Sequence, residues 1–387
     1  MKTRHRIYFE NSKNMAAIPS DSVDLVVTSP PYPMIEMWDS IFAVQHPQIR
    51  NALKSRKSLL AFELMHNQLD EVWREIHRVL KEGGIACINI GDAARNINDN
   101  FMLYPNHSRI LSYLIKVGFN TLPLILWRKQ TNAPNKFMGS GMLPSGAYVT
   151  LEHEYILILR KGPKREFRTD AEKKIRRESA LFWEERNIWY SDVWLDLKGT
   201  VQKLDNSSSR LRSAAFPFDV PYRLINMFSV KGDTVLDPFL GTGTSMWAAI
   251  ATARNSIGFE LDQSFRNEIL PDTDVLAKFA NQKIGDRIEN HLQFVQKRLE
   301  TKGQLKYINR FYKFPVMTRQ ETELLLNPLL TITEFGENIV EAAYSSKLHS
   351  DGVEAWKEDF KLQDNISNLK KRQSKKKPQR PIQQKLL

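Results

Sequence analysis

Asp24-Leu-Val-Val-Thr28 is apolar on both faces, as in a strand buried within a parallel sheet. It must stop at Ser29-Pro30-Pro31-Tyr32, because proline has no N–H to continue a ladder. Leu69, Val72, Trp73, Ile76, Val79 and Leu80 recur at three- and four-residue spacing, which predicts an amphipathic helix closed by Gly83-Gly84. Buried strands follow at 85–90, at 121–127 and, beyond a Gly- and Pro-rich loop, at 155–160; a helix over 108–117 ends at Gly118. Strands alternating with helices imply a largely parallel sheet.

The alternation fails between Lys161 and Arg212, where charged residues mix with Phe167, Phe182, Trp183, Trp189, Tyr190 and Trp194. These aromatics suit either the core of a small subdomain or contacts to a ligand. The alternation resumes with a helix over 219–229, a strand over 234–237, a glycine turn, a helix over 244–254 and a strand over 256–261, which is a βαβ unit. A helix is expected over 268–299, and the remainder shows no assignable pattern. Four segments result: 1–160, 161–212, 213–300 and 301–387.

The 387 residues suffice for one large α/β domain with an insertion. No run of 18 apolar residues occurs and the first residues lack a secretory apolar stretch, so a cytoplasmic protein without membrane attachment is expected. A single cysteine, Cys87, excludes an intrachain disulfide, and no metal site is expected. The formal charge of +12 suits a polyanionic partner. Nine Lys or Arg against three acids lie between Arg160 and Arg177, and eight with no acid lie between Lys370 and Leu387.

Two motifs carry chemistry. In Leu236-Asp-Pro-Phe-Leu-Gly241-Thr-Gly243-Thr244 a strand passes through glycines into a helix, letting a ligand approach the backbone. The lysine of a phosphate-binding loop and the third glycine of a dinucleotide fingerprint are both missing. Gly258-Phe-Glu260-Leu-Asp262 then puts an acid at the end of the next strand, where it can accept both hydroxyls of a ribose. The pair describes a pocket for an adenosine-bearing cofactor. Thr28-Ser-Pro-Pro-Tyr32 suits an aromatic amine, whose lone pair is delocalised until acceptors aimed at its N–H bonds localise it. The Ser29 hydroxyl and Pro30 carbonyl can be those acceptors, Pro31 fixes the backbone, and Tyr32 can stack on the base.

In this order the segments resemble the beta-class DNA amino-methyltransferases, in which the catalytic motif precedes the cofactor motif. The resemblance covers about residues 5–265, including Asn89-Ile-Gly-Asp92, Glu152-His-Glu-Tyr155 and Phe216-Pro-Phe-Asp-Val-Pro221. It implies a Rossmann-like class I methyltransferase α/β fold with a mostly parallel seven-stranded sheet and permuted motifs. The catalytic half would be 1–160, a target-recognition insert 161–212, the cofactor-binding half 213–300, and a C-terminal extension 301–387. The implied cofactor is S-adenosylmethionine. Thr28, Phe216, Asp237, Pro238, Phe239, Gly241, Thr242, Gly243, Thr244 and Asp262 would border it, with Phe239 against the adenine and Glu260 on the ribose.

The implied partner is double-stranded DNA, with the target base flipped out of the helix and, for recognition, small polar contacts from Asn206–Ser209. A cognate restriction endonuclease is the implied functional partner. In the family, Ser at the position of Ser29 goes mostly with cytosine N4, and Asp or Asn with adenine N6; cytosine N4 is the expectation and adenine N6 the alternative. An RNA or protein amide acceptor is opposed by the motif order. Cytosine C5 chemistry needs a thiolate nucleophile, whereas Cys87 sits inside an apolar strand and reads as structural. Met34–Asp39 either walls the pocket or packs Trp38 inward.

Overall fold

A computed structural model describes residues 1–97, 100–129, 138–139, 143–198, 216–270 and 273–346. The strand after Asp24 is its centre: β2 (Val23–Thr28) is buried at all six positions. Side chains alternate across a strand, so Leu25 and Val27 enter one apolar core while Val26 enters the other.

The main sheet comprises β1 (Lys2–Tyr8), β2, β3 (Leu80–Ile90), β4 (Phe119–Thr121), β5 (Ile125–Arg128), β6 (His153–Lys161), β7 (Val193–Trp194), β8 (Thr234–Asp237), β9 (Asn255–Phe259), β10 (Leu329–Gly336) and β11 (Ile339–Tyr344). Their order is β7-β5-β6-β3-β2-β8-β9-β1-β11-β10, with β4 also on β6. The five central strands, β3-β2-β8-β9-β1, are mutually parallel. Helices α1 (Ser58–Val79) and α2 (Asn106–Val117) pack their apolar stripes on one face of the sheet; α5 (Asp219–Phe228) and α6 (Thr244–Ala251) cover the other.

Among the described residues the sheet has eleven strands against the seven expected. The unpatterned segment after residue 300 supplies the antiparallel pair β10 and β11, which extends the sheet beyond β1. The strand expected over 121–127 is two strands, β4 and β5, interrupted around Pro123. The first long helix ends at Val79 rather than at Gly83-Gly84. Pairing with β2 draws the chain straight into β3, and Gly83, at φ +81°, serves an irregularity where the register slips between Val23 and Leu25.

The insert is more regular than its sequence suggests. It holds α3 (Asp170–Glu178), opened by a Thr169–Glu172 capping box, and α4 (Trp183–Trp189). Phe182 packs with Ile284, Ile288, Tyr312 and Phe314, joining the insert to α7 (Thr273–Lys302) and the chain after it. Trp189 and Trp194 belong to a main core, so these three aromatics are interior. Trp38 packs against the second core beside fully buried Met34, the inward alternative for that segment. Asn206–Ser209 and the basic stretch 370–387 lie outside the described residues. No described helix is long and apolar enough to cross a membrane.

Candidate active site

β2 and β8 are neighbours, with Leu25 opposite Val235 and Val26 opposite Leu236. Their C-terminal ends therefore release the Ser29–Tyr32 loop and the Pro238–Gly243 loop side by side at one edge of the sheet, where open α/β folds bind ligands. The Thr28 hydroxyl donates to Asp237 Oδ1 at 2.6 Å across this junction. Asp237 is buried, and its carboxylate also accepts from Ser245 Oγ at 2.5 Å and from the Phe239 N–H at 3.0 Å. Burial raises its pKa, and these three donors oppose the rise. Asp237 thus ties the end of β2, the glycine turn and the first turn of α6 into one unit.

The glycine turn is shaped for close approach. Gly241 (φ +55°) and Gly243 (φ +83°) occupy the left-handed region, and a Cβ built on Gly241 would meet nothing within 4 Å. Glu260, at the end of β9, accepts the Gly241 N–H on one oxygen and the Asp262 N–H on the other, each at 2.9 Å. Burial raises its pKa against those two bonds. Glu260 is only half-buried, so lone pairs remain for a ligand's hydroxyls. Asp262 also accepts from the Ser264 N–H at 3.0 Å, capping a short turn. Phe239 is half-buried, edge-on to Trp73 with ring centres 6.1 Å apart. Pro238 is buried, Thr242 and Thr244 line the turn half-exposed, and Phe216 is buried in a main core just before α5. Open space over a glycine backbone, a half-buried aromatic ring and an acid with spare acceptors fit an adenosine-bearing cofactor.

Tyr32 is held by residues that the motif does not contain. Its hydroxyl donates to Glu154 Oε2 at 3.0 Å and accepts from Asn89 Nδ2 at 2.9 Å. The Ser29 hydroxyl lies 3.1 Å from the same oxygen. Asn89 Nδ2 also reaches Glu154 Oε2 at 2.7 Å, and Lys129 Nζ reaches Glu154 Oε1 at 2.9 Å. Burial and the Glu154 carboxylate push the Tyr32 phenol well above its ordinary pKa, so it stays protonated. A phenol has one proton, and Glu154 takes it; the proton in the Ser29–Tyr32 contact must then come from Ser29. The lone pairs of Ser29 are left open as acceptors. Asn89 and Glu154 lie in the segments Asn89–Asp92 and Glu152–Tyr155 that carry the resemblance, but sequence reasoning assigns neither a role at the site.

Behind the loop, Asn106 Nδ2 donates to the carbonyls of Pro33 and Gly91, both at 3.0 Å, and its oxygen pairs with buried His66 Nε2 at 3.0 Å. A Cβ at Gly91 would come within 3.0 Å of the Tyr32 ring. Cys87 is fully buried, and burial raises its thiol pKa, which fits a structural role.

Residues 23–270 match the family described as DNA methylase, the N6/N4 methyltransferases. The chain is 51% identical over 345 residues to the type II methyltransferase M.MthZI of Methanothermobacter thermautotrophicus, covering 89% of this chain and 96% of that one. It is 46% identical over 321 residues to M.MjaI of Methanocaldococcus jannaschii, covering 80% and 97%. Among solved structures, TTHA0409 of Thermus thermophilus in complex with S-adenosyl-L-methionine is similar at 30% identity with a TM-score of 0.53, over 71% of this chain and 95% of that one. A sheet edge that joins the Ser29–Tyr32 turn to the Gly241–Gly243 turn, and a match running from the first strand of that junction to beyond Glu260, lead to one conclusion: the chain belongs to the N6/N4 DNA methylase family and is an S-adenosylmethionine-dependent DNA methyltransferase.

Proposed function

We propose that this chain methylates the exocyclic N4 of cytosine within a defined site of double-stranded DNA, as the modification member of a restriction-modification system. The observation that carries the amine chemistry is the hydrogen-bond order at Tyr32, which leaves Ser29 an acceptor. Ser29 Oγ and the Pro30 carbonyl draw on the two N–H bonds of the amine and return its lone pair to nitrogen. Glu154 and Asn89 are positioning residues, since they act through Tyr32. The Tyr32 ring supports the flipped base and offsets part of an unstacking cost of a few kcal/mol, roughly.

S-adenosylmethionine supplies the electrophilic sulfonium methyl. Glu260 holds the ribose and Phe239 the adenine, while Asp237 keeps the glycine turn in register with β2. Positioning and polarisation supply the catalysis, with no covalent enzyme intermediate.

The choice of cytosine N4 over adenine N6 rests on serine at position 29, by resemblance. The type II names of the two archaeal relatives support a site-specific modification enzyme. Among the described residues of the insert, β7 runs parallel to β5 and so ends at the catalytic edge; recognition of the target is assigned to the insert from β7 onward and to the chain following β5. Exposing unmethylated DNA to the protein and cofactor, digesting to nucleosides and weighing the product decides the acceptor. N4-methyl-2′-deoxycytidine supports the reading, and N6-methyl-2′-deoxyadenosine removes the choice of base.

A further inference from the structure

A cavity of about 1360 Å³ opens at the opposite edge of the sheet from the catalytic loops. Asp24, Gly83 and Val230 line it, at the N-terminal ends of β2, β3 and β8. Five residue steps along β2, roughly 17 Å at 3.3 Å per residue, separate Asp24 from Ser29.

Its walls are basic. Lys164, Arg176, Arg186 and Arg319 line it, all exposed, and none has an ion pair among the described residues. The acids in the same walls are already engaged. Asp24 is paired with Lys81, Glu323 with Arg177, and Glu321 accepts from the Trp183 N–H and from Thr318. Two of the free guanidinium groups are also preset. Arg176 lies over Phe167 at 4.8 Å, with Arg165 over the same ring at 4.7 Å. Arg186 lies 5.6 Å from the centre of Tyr190, whose hydroxyl is tied to the Met227 carbonyl at 2.7 Å. Stacking fixes the guanidinium plane and leaves its N–H edge for an anion, the arrangement that suits phosphate oxygens.

We infer that this groove is a second DNA contact, gripping the phosphodiester backbone of a duplex segment other than the one that presents the target base. Four unpaired cations spread along an open wall suit a polymer of regularly spaced phosphates better than a single small anion. The inference rests on the chain acting on DNA and is independent of which base is methylated. It makes the groove a handle that keeps the enzyme on the polymer between sites.

The test uses the full chain and the variant Lys164→Ala/Arg176→Ala/Arg186→Ala. Binding to a fluorescein-labelled duplex of random sequence, about 30 bp long, is read by anisotropy at several salt concentrations. The variant is expected to bind about tenfold more weakly at low salt, with a log–log salt slope smaller by about 0.9 for each phosphate no longer neutralised. Tritium transfer from S-adenosylmethionine to a short duplex carrying the mapped site should keep its kcat/KM within about twofold, which also reports an intact fold. Unchanged affinity and slope overturn the inference. So does a loss of kcat/KM on the short duplex with thermal unfolding unchanged, because the groove would then belong to the target-site path. If thermal unfolding drops instead, the single exposed-site variants Lys164→Glu and Arg319→Glu are compared by the same two readouts. Absence of methyl transfer to any DNA would defeat the active-site reading, while the anisotropy comparison would still decide the groove.

Discussion

The Thr28 hydroxyl donates to the Asp237 carboxylate at 2.6 Å, joining two residues 209 positions apart in the chain. The bond fastens the start of the Ser29–Tyr32 turn to the start of the Pro238–Gly243 turn. Thr28→Val keeps the shape and removes one of three donors to a buried carboxylate, at a cost of about 1–3 kcal/mol. Urea unfolding should show the loss, and calorimetric titration should show weaker S-adenosylmethionine binding. Asp237→Ala should weaken cofactor binding further.

Ser29→Ala should lower kcat by roughly 10²–10³ while leaving cofactor affinity close to that of the parent, because only the amine loses an acceptor. Turnover at the normal rate would remove Ser29 from the chemistry.

Tyr32→Phe and Glu154→Gln separate the positioning network from the acceptor. Either change releases the Ser29 proton from its fixed direction, so kcat should fall by at least about tenfold with calorimetric cofactor binding retained. Gly91→Ala should produce the same split by crowding the Tyr32 ring.

His66 makes the loop support sensitive to acid. Burial foremost, then the charge of Arg109, lowers its pKa from 6.5 to about 3. A depressed folded-state pKa means that its contribution is present above pH 6.5 and is lost as pH falls from 6.5 towards 3. His66→Gln can still donate to Asn106 and does not titrate, so unfolding free energy measured across that window should fall less steeply than in the parent.

Glu185 pairs with Arg287 through two bonds of 2.6 and 2.7 Å, both side chains being nearly buried. Glu185→Ala strands the guanidinium and should cost about 3–5 kcal/mol in denaturant unfolding. Glu185→Ala/Arg287→Met should recover much of it.

The strands and turns bearing the two motifs were legible because each is local: an apolar run, a proline stop, a glycine bend. Asn89, Glu154 and Lys129 act across strands, and no spacing rule links them to Tyr32. Helix α3 has no buried residue, so it offers no apolar period, and its one local signal is the Thr169–Glu172 cap. The β10–β11 pair was hidden for a different reason. β10 buries only two of its eight positions, and the inward residues of β11 are interspersed with Ile339 and Ala343, which blur the alternation.

Since β2 is apolar on both faces and flanked on both sides, its order of completion during synthesis has a cost. β3 emerges soon afterwards, but β8, its other neighbour, is made some two hundred residues later. Until then the ribosome carries a nascent chain with an unpaired, greasy sheet margin, a template for association with other chains. The same delay keeps an unfinished polypeptide from modifying the genome, because neither half of the junction can work before the other arrives.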